Sequence, residues 1–321
     1  MHSDPKMQAV IPVHLKGRSF LRVNDWSPEE LVAVLDLADR LKARLKSGVA
    51  DRVLEGRTLG MIFTKPSTRT RVSFETGIWQ LGGTGLYLSA NDLQLGRGET
   101  IKDTAVVLSR YLDGIMIRTF DQSDVDQLAE HGDVPVINGL TDRFHPCQAL
   151  ADVMTIRERF GKLEGIRVAY LGDGNNVCHS LMVAGAKLGA EFVAATPEGY
   201  EPEEEVVGWA RAAAEESGGE VGLTHDRDEA IRGANVLYTD VWTSMGQDEE
   251  RERRLRDLEP YRIDDRVLRL ASGNAIVMHC LPAHYGEEVT EAVLHGSQSA
   301  AWDQAENRLH AQKALMALVI A

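Results

Sequence analysis

Thr58-Leu59-Gly60-Met61-Ile62-Phe63-Thr64-Lys65-Pro66-Ser67-Thr68-Arg69-Thr70-Arg71 decides the fold. Thr58–Phe63 is an apolar run of the length of a buried strand. Pro66 breaks the chain just ahead of Ser67. Beyond Arg71, the apolar residues Val72, Phe74, Ile78 and Leu81 follow helical spacing. Strand, polar turn and helix in that order open a βαβ unit, which builds parallel sheets.

The turn itself has a chemistry. A Ser/Thr cluster there sets hydroxyls and free backbone N–H groups at a helix N-terminus, where the dipole favours an anion. Arg69 adds a planar charged fork suited to phosphate. The P-loop pattern G-x-x-x-x-G-K-[ST] is absent, so this is a phosphate cradle of another kind or an ordinary N-cap with solvated arginines.

Working outward, Ser27-Pro28-Glu29-Glu30 starts a helix with a capping serine, a proline at the first helical position and a glutamate three residues on. Leu86–Leu88 reads as a strand, Asn91–Thr100 as a polar loop, Thr104–Leu112 as a helix, and Gly114–Arg118 as a strand ending in an arginine. Val134–Asn138 is a further strand, and a helix runs from near His145 to Phe160. A second unit opens with the strand Val168–Leu171, the turn Gly172-Asp173-Gly174 and a helix over Asn176–Leu188. Strands at Phe192–Thr196, Ala234–Val241 and Ala275–Leu281 follow, with an acidic helix at Glu201–Glu216 and a last helix near Gln304–Leu318.

Strands alternating with helices make this an α/β chain. The expectation is two doubly wound parallel-sheet domains facing each other across a cleft, with the C-terminal helix returning to the first domain. The boundaries fall at 1–148 plus 303–321 for the first domain and 149–302 for the second.

Composition narrows the function. With 49 Asp and Glu against 35 Lys and Arg, the formal charge is −14, which argues against a general nucleic-acid surface. An anion must then be met by a local basic pocket. The three cysteines, Cys147, Cys178 and Cys280, form no C-x-x-C pair and no zinc spacing, as expected of a reducing compartment. No apolar run reaches transmembrane length and no signal-peptide core begins the chain, so a cytoplasmic location follows by elimination.

Ligands of open α/β sheets bind beyond the carboxyl ends of the strands. The first unit offers Arg69, Arg118, His145 and Gln148 there, a cationic set. The second offers Asn176, Asp240 and Cys280, a mixed set able to hold an amino acid. Each has a plainer reading: Arg118 as a surface ion pair, His145 as a helix start, Cys280 as a small buried hydrophobe, Asn176 and Ser244 as caps, Arg308 as a solvated helix residue. A dinucleotide-binding protein is the rival class, because Gly172-Asp173-Gly174 follows a strand and Glu198 lies near the distance of a ribose-binding acid. Against it, Val177 stands at the third glycine position.

Ser67-Thr68-Arg69-Thr70-Arg71, His145-Pro146-Cys147-Gln148 and His279-Cys280-Leu281-Pro282 resemble the signature motifs of the aspartate/ornithine transcarbamylase family. Asp240-Val241-Trp242-Thr243-Ser244-Met245-Gly246 resembles the Ser-Met-Gly loop of its ornithine carbamoyltransferase branch. The similarity runs over nearly the whole chain, through Gly174-Asn175-Asn176 to Glu306-Asn307-Arg308. It implies transfer of the carbamoyl group of carbamoyl phosphate to the side-chain amine of L-ornithine, giving L-citrulline and phosphate, with no metal and no organic cofactor. By that resemblance Ser67, Thr68, Arg69 and Thr70 bind phosphate, Arg118, His145 and Gln148 bind phosphate and carbamoyl groups, and Gln94 reaches a neighbouring subunit's phosphate in a homotrimer. Asn176, Asp240, Ser244 and Met245 bind ornithine, and Cys280, the Leu281 carbonyl and Arg308 complete the reacting centre. A transcarbamylase for putrescine, N-acetylornithine or aspartate is the near alternative, and a catalytically dead relative a further one.

Overall fold

The computed structural model describes residues 15–90, 93, 98–243 and 250–321. They fall into two compact units, Met1–Cys147 with Arg308–Ala321, and Gln148–Asn307.

The first unit begins with α1 (Pro28–Lys46), capped at Ser27 by a reciprocal bond pair with Glu30. Then come β1 (Thr58–Phe63), α2 (Thr68–Gln80), β2 (Thr84–Ser89), α3 (Ile101–Leu108), β3 (Gly114–Arg118), α4 (Gln122–His131) and β4 (Val136–Leu140). The sheet has the order β2-β1-β3-β4 and every neighbouring pair is parallel. The chain leaves β1 toward β2 and then crosses to β3 on the other side. That reversal, with right-handed crossovers, puts helices on both faces and opens a switch point between β1 and β3. Ile62, Ile115, Ile117, Val125 and Leu128 form the core beneath it.

Helix α5 (Pro146–Phe160) carries the chain into the second unit. There β5 (Arg167–Leu171), α6 (Asn176–Lys187), β6 (Glu191–Ala195), α7 (Glu204–Ser217), β7 (Glu220–Thr224), α8 (Arg227–Ile231), β8 (Val236–Thr239), α9 (Arg251–Leu258), α10 (Asp265–Leu270), β9 (Ile276–His279) and α11 (Glu291–Leu294) follow. The strand order β7-β6-β5-β8-β9 is again all parallel, with its switch point between β5 and β8. The last helix, α12 (Ala301–Ile320), starts in the second unit and ends in the first. Its far half packs on α2, where a Cβ at Gly77 would meet Met316 Cε at 3.0 Å and Lys313 Cγ at 3.2 Å.

Several elements depart from the reading of the sequence. Val72 is 53% exposed while Phe74, Ile78 and Leu81 are fully buried, so the inner face of α2 runs through Gly77 rather than Val72. Helix α3 starts at Ile101, because Thr100 caps it by accepting the Asp103 N–H. Neither α4 nor β7 was expected. The apolar signal of α4 is only Val125 and Leu128, and β7 is an edge strand with no fully buried side chain.

Candidate active site

In the first unit the carboxyl ends of β1 and β3 lie side by side: Phe63 pairs with Arg118, and Thr64 donates its N–H to the Arg118 carbonyl at 2.9 Å. Ser67 is the N-cap of α2 and its hydroxyl oxygen accepts the Thr70 N–H at 3.2 Å. Thr70 is fully buried, and Arg308 Nη2 donates to its hydroxyl at 2.9 Å. That bond brings α12 to the start of α2. Thr68 is exposed and Arg69 half-buried. Arg71 is differently occupied, stacked 3.9 Å over the Tyr87 ring and paired with Glu75 at 3.2 Å.

His145 shows what this gathering does. It is buried, and its pKa is held well below the ordinary imidazole value of 6.5, first by burial and then by the charges of Arg308, Arg118 and Arg69. It is therefore neutral at physiological pH. Three guanidinium groups make a positive field at a helix N-terminus, which is a site for a multiply charged anion. A neutral imidazole there can still donate one N–H without adding charge.

In the second unit the turns after β5, β8 and β9 supply the polar groups. Asp240 Oδ1 accepts the Val241 N–H at 2.8 Å and the Cys280 thiol at 2.9 Å, and its Oδ2 accepts from Asn175 Nδ2 at 2.8 Å. Asn175, not Asn176, is the cap of α6: its Oδ1 accepts the Val177 and Cys178 N–H groups and the Tyr170 hydroxyl. Asn176 is the first helical residue. Burial first, then the Asp240 charge, pushes the Tyr170 hydroxyl well above its usual range, so it stays a donor.

Past β9 the backbone turns sharply. Leu281 has φ +58°, in a left-handed region that branched side chains rarely adopt, and a cis peptide follows to Pro282. His279 Nδ1 accepts the Leu281 N–H at 2.8 Å, which leaves the imidazole proton on Nε2, facing Glu288 Oε1 at 3.1 Å. Asp240, His279 and Cys280 each offer a ligand atom within 4.8 Å of the others. Both His279 nitrogens are already engaged, so the trio reads as a hydrogen-bonded unit that shapes the turn.

Gln148 is buried at the start of the second unit, with its Nε2 donating to Asp152 Oδ1 at 2.8 Å. Gln94, Ser244 and Met245 lie outside the described residues. The sequence reading missed Asn175 and Asp152, and the signal for Asn175 was its place just ahead of a helix.

The dinucleotide reading fails at the turn after β5. The Gly174 N–H donates to Tyr200 O at 2.8 Å, and a Cβ at Gly174 would lie 2.6 Å from the carbonyl carbon of Glu201. Asn175 fills the start of α6 and Asp173 pairs with Arg254. The chain's own backbone closes on Gly174, where that motif needs room for a pyrophosphate.

The fold is thus that of a parallel α/β protein with guanidinium groups at the switch point of one unit and an acid–thiol pair at that of the other. Comparison with known proteins goes further. A family model described as the carbamoyl-P binding domain of aspartate/ornithine carbamoyltransferase matches residues 18–158, and one described as its Asp/Orn binding domain matches residues 164–319. The chain belongs to the aspartate/ornithine carbamoyltransferase family. It is 58% identical to an ornithine carbamoyltransferase of Thermococcus kodakarensis, over 96% of this chain and 98% of that protein. An anabolic ornithine carbamoyltransferase of Pyrococcus furiosus is 56% identical, over 96% of this chain and 98% of that protein. The solved ornithine carbamoyltransferase of Pyrococcus furiosus aligns with a TM-score of 0.93 at 56% identity, over 95% of this chain and 98% of that one. The Gloeobacter violaceus enzyme structure aligns with a TM-score of 0.85 at 46% identity, over 95% of this chain and 99% of that one.

Proposed function

We propose that this chain transfers the carbamoyl group of carbamoyl phosphate to the side-chain amine of L-ornithine, giving L-citrulline and phosphate. The observation that carries the donor half is the neutral His145 set among Arg69, Arg118 and Arg308 at the N-terminus of α2. Ser67, Thr68, Arg69 and Thr70 take the phosphate. Arg118, His145 and Gln148 take the phosphate and carbamoyl groups, and Arg308 completes the reacting centre.

Carbamoyl phosphate already carries its leaving group, so no covalent enzyme intermediate is needed. The ornithine nitrogen must attack as a free amine, although an alkyl ammonium has a pKa of about 10.4 in water. Desolvation lowers it. Asp240 and Cys280 hold the amine, the Asp240 carboxylate receives its proton while the Cys280 thiol donates to that carboxylate, and Asn176 with the Ser244-Met245 loop holds the amino-acid end. Attack forms the C–N bond and a tetrahedral centre whose oxyanion is met by Thr70, Arg118 and His145. Collapse breaks the C–O bond, and phosphate leaves with the electron pair beside Arg69. The Leu281 carbonyl, fixed by its backbone turn, accepts from the carbamoyl nitrogen. Positioning of two bound reactants contributes about 7–11 kcal/mol to such a reaction.

The acceptor is tested by assaying ornithine, putrescine, N-acetylornithine and aspartate side by side. A site that holds an amino-acid end rejects putrescine by about 10⁴ or more. Equal kcat/KM for ornithine and putrescine removes the ornithine assignment.

The working assembly in this reading is a homotrimer in which Gln94 completes the neighbour's phosphate site, as a closed ring of heterologous contacts allows. Gln94→Glu and Arg69→Ala chains, each inactive alone, regain activity when refolded together. Inactive hybrids that assemble normally count against a shared site. Among the described residues no helix is long and apolar enough to cross a membrane, and a cytoplasmic location is part of the proposal.

A further inference from the structure

One buried carboxylate in the second unit has no role in this scheme. Asp152, on α5, is fully buried. Its Oδ1 accepts from Gln148 Nε2 at 2.8 Å and from Gln304 Nε2 at 2.7 Å, and its Oδ2 accepts from the Tyr238 hydroxyl at 3.1 Å. Gln304 Nε2 also reaches the Tyr238 oxygen at 3.0 Å, while Gln304 Oε1 accepts the His279 N–H at 2.9 Å. The network therefore spans α5, β8, β9 and α12. Tyr238 keeps its proton as a donor, because burial first and the Asp152 charge second push its pKa well above the phenol range.

A carboxylate only accepts, whereas a primary amide donates at one end and accepts at the other. Asp152 thus forces both glutamines to turn their NH2 groups toward it. Gln304 is left with its carbonyl on the last residue of β9, directly before Cys280. Gln148 is left with its carbonyl oxygen directed elsewhere, and that Oε1 is buried with no hydrogen-bond partner among the described residues. A buried acceptor with no donor beside it fits a ligand that supplies one. An asparagine at position 152 fits the same space but satisfies either amide orientation.

We propose that Asp152 is a positioning residue: it fixes the direction of the Gln148 amide so that Oε1 receives the N–H of the carbamoyl group, and through Gln304 it anchors the end of β9 that bears Cys280. This rests on the reading in which Gln148 holds the carbamoyl group.

The test is Asp152→Asn in the full-length enzyme, with inorganic phosphate as a second probe. Loss of one fixed buried acceptor raises the carbamoyl-phosphate KM and lowers kcat, together by about tenfold to hundredfold. The inhibition constant of inorganic phosphate stays at the wild-type value, because phosphate has no amide. In a Gln148→Ala background the added effect of Asp152→Asn on carbamoyl-phosphate KM disappears. A folded Asp152→Asn enzyme with wild-type constants overturns the proposal. So does equal weakening of phosphate and carbamoyl phosphate, or an undiminished effect in the Gln148→Ala background. Should Asp152→Asn not fold, Tyr238→Phe removes one donor from Asp152 and raises carbamoyl-phosphate KM about threefold with phosphate inhibition unchanged. No change in that KM overturns the proposal as well. If Gln148→Ala itself leaves carbamoyl-phosphate KM intact, the reading beneath the proposal is what fails.

Discussion

The two sheets of this chain follow one topological rule and present opposite chemistry. Each is parallel throughout, and each reverses its winding once, between β1 and β3 in the first unit and between β5 and β8 in the second. At the first reversal the strand ends and neighbouring helices carry arginines, and burial first, then their field, holds the His145 pKa well below the ordinary imidazole value. At the second they carry a carboxylate and a thiol bonded to each other, and the negative charge of Asp240 helps hold the Tyr170 proton in place. The fold fixes where a ligand sits in each unit. In the proposed reading, the side chains at those few positions decide whether it is an anion or an amine.

The comparison breaks most visibly at Arg118, which is 8% exposed at the end of β3. Removing a buried cation from an anion and oxyanion site costs about 10²–10³ in kcat. Arg118→Ala should show that loss with little change in ornithine KM. Turnover near wild type in a folded Arg118→Ala enzyme places the anion site elsewhere.

A smaller effect sharpens the other side. Asp240→Asn keeps the shape but removes the charge that meets an amine, so ornithine KM should rise by about 10–100-fold, the value of a charge-assisted bond. Inhibition by inorganic phosphate should not move. In the wild type, ornithine should shield Cys280 from alkylation. Parallel weakening of phosphate and ornithine, or a Cys280 that alkylates at the same rate with ornithine present, shows that the two clusters do not divide the substrates.

The smallest effect is on stability. The folded pKa of His145 lies below the unfolded value of about 6.5. As pH falls through that value the unfolded chain takes up the proton first, which draws the equilibrium toward unfolding. The contribution is fully present above about pH 6.5 and is lost progressively toward the lower folded pKa. His145→Gln should therefore lose less of its denaturation midpoint between pH 7 and pH 5 than the wild type. An identical slope in both shows that neither burial nor the arginines hold the His145 pKa down.

Much of this was legible in residue order. β1, β3 and the helix after His145 have local signals, namely apolar runs, Pro66 and Pro146, and capping residues. The Ser67 cap and the Ser27 capping box are contacts within a few residues, so sequence alone fixes them. Residue order placed Arg118, Asp240 and Cys280 at strand ends, and Arg69 and His145 in the turns beyond them, but the roles expected of all five came from the family resemblance and not from spacing.

Tertiary structure decided what depends on distant partners. Sequence assigned Asn176 an ornithine-binding role with a helix cap as the plainer reading; in the structure Asn175 is the cap, and only folding ties its amide to the Asp240 carboxylate 65 positions on. Sequence left Asp152 and Gln304 blank, because an acid or amide on a helix has no local sign of which way it points; only folding puts 152 positions of chain between them into one hydrogen bond. Arg308 reads as a solvated helix residue until α12 sets it on Thr70, 238 positions away. Local spacing determines secondary structure and strand-end placement, because those forces act over a few residues. The protonation state of His145 and the direction of the Gln148 amide are set by charges and acceptors brought near through space, and those exist only once the chain has folded.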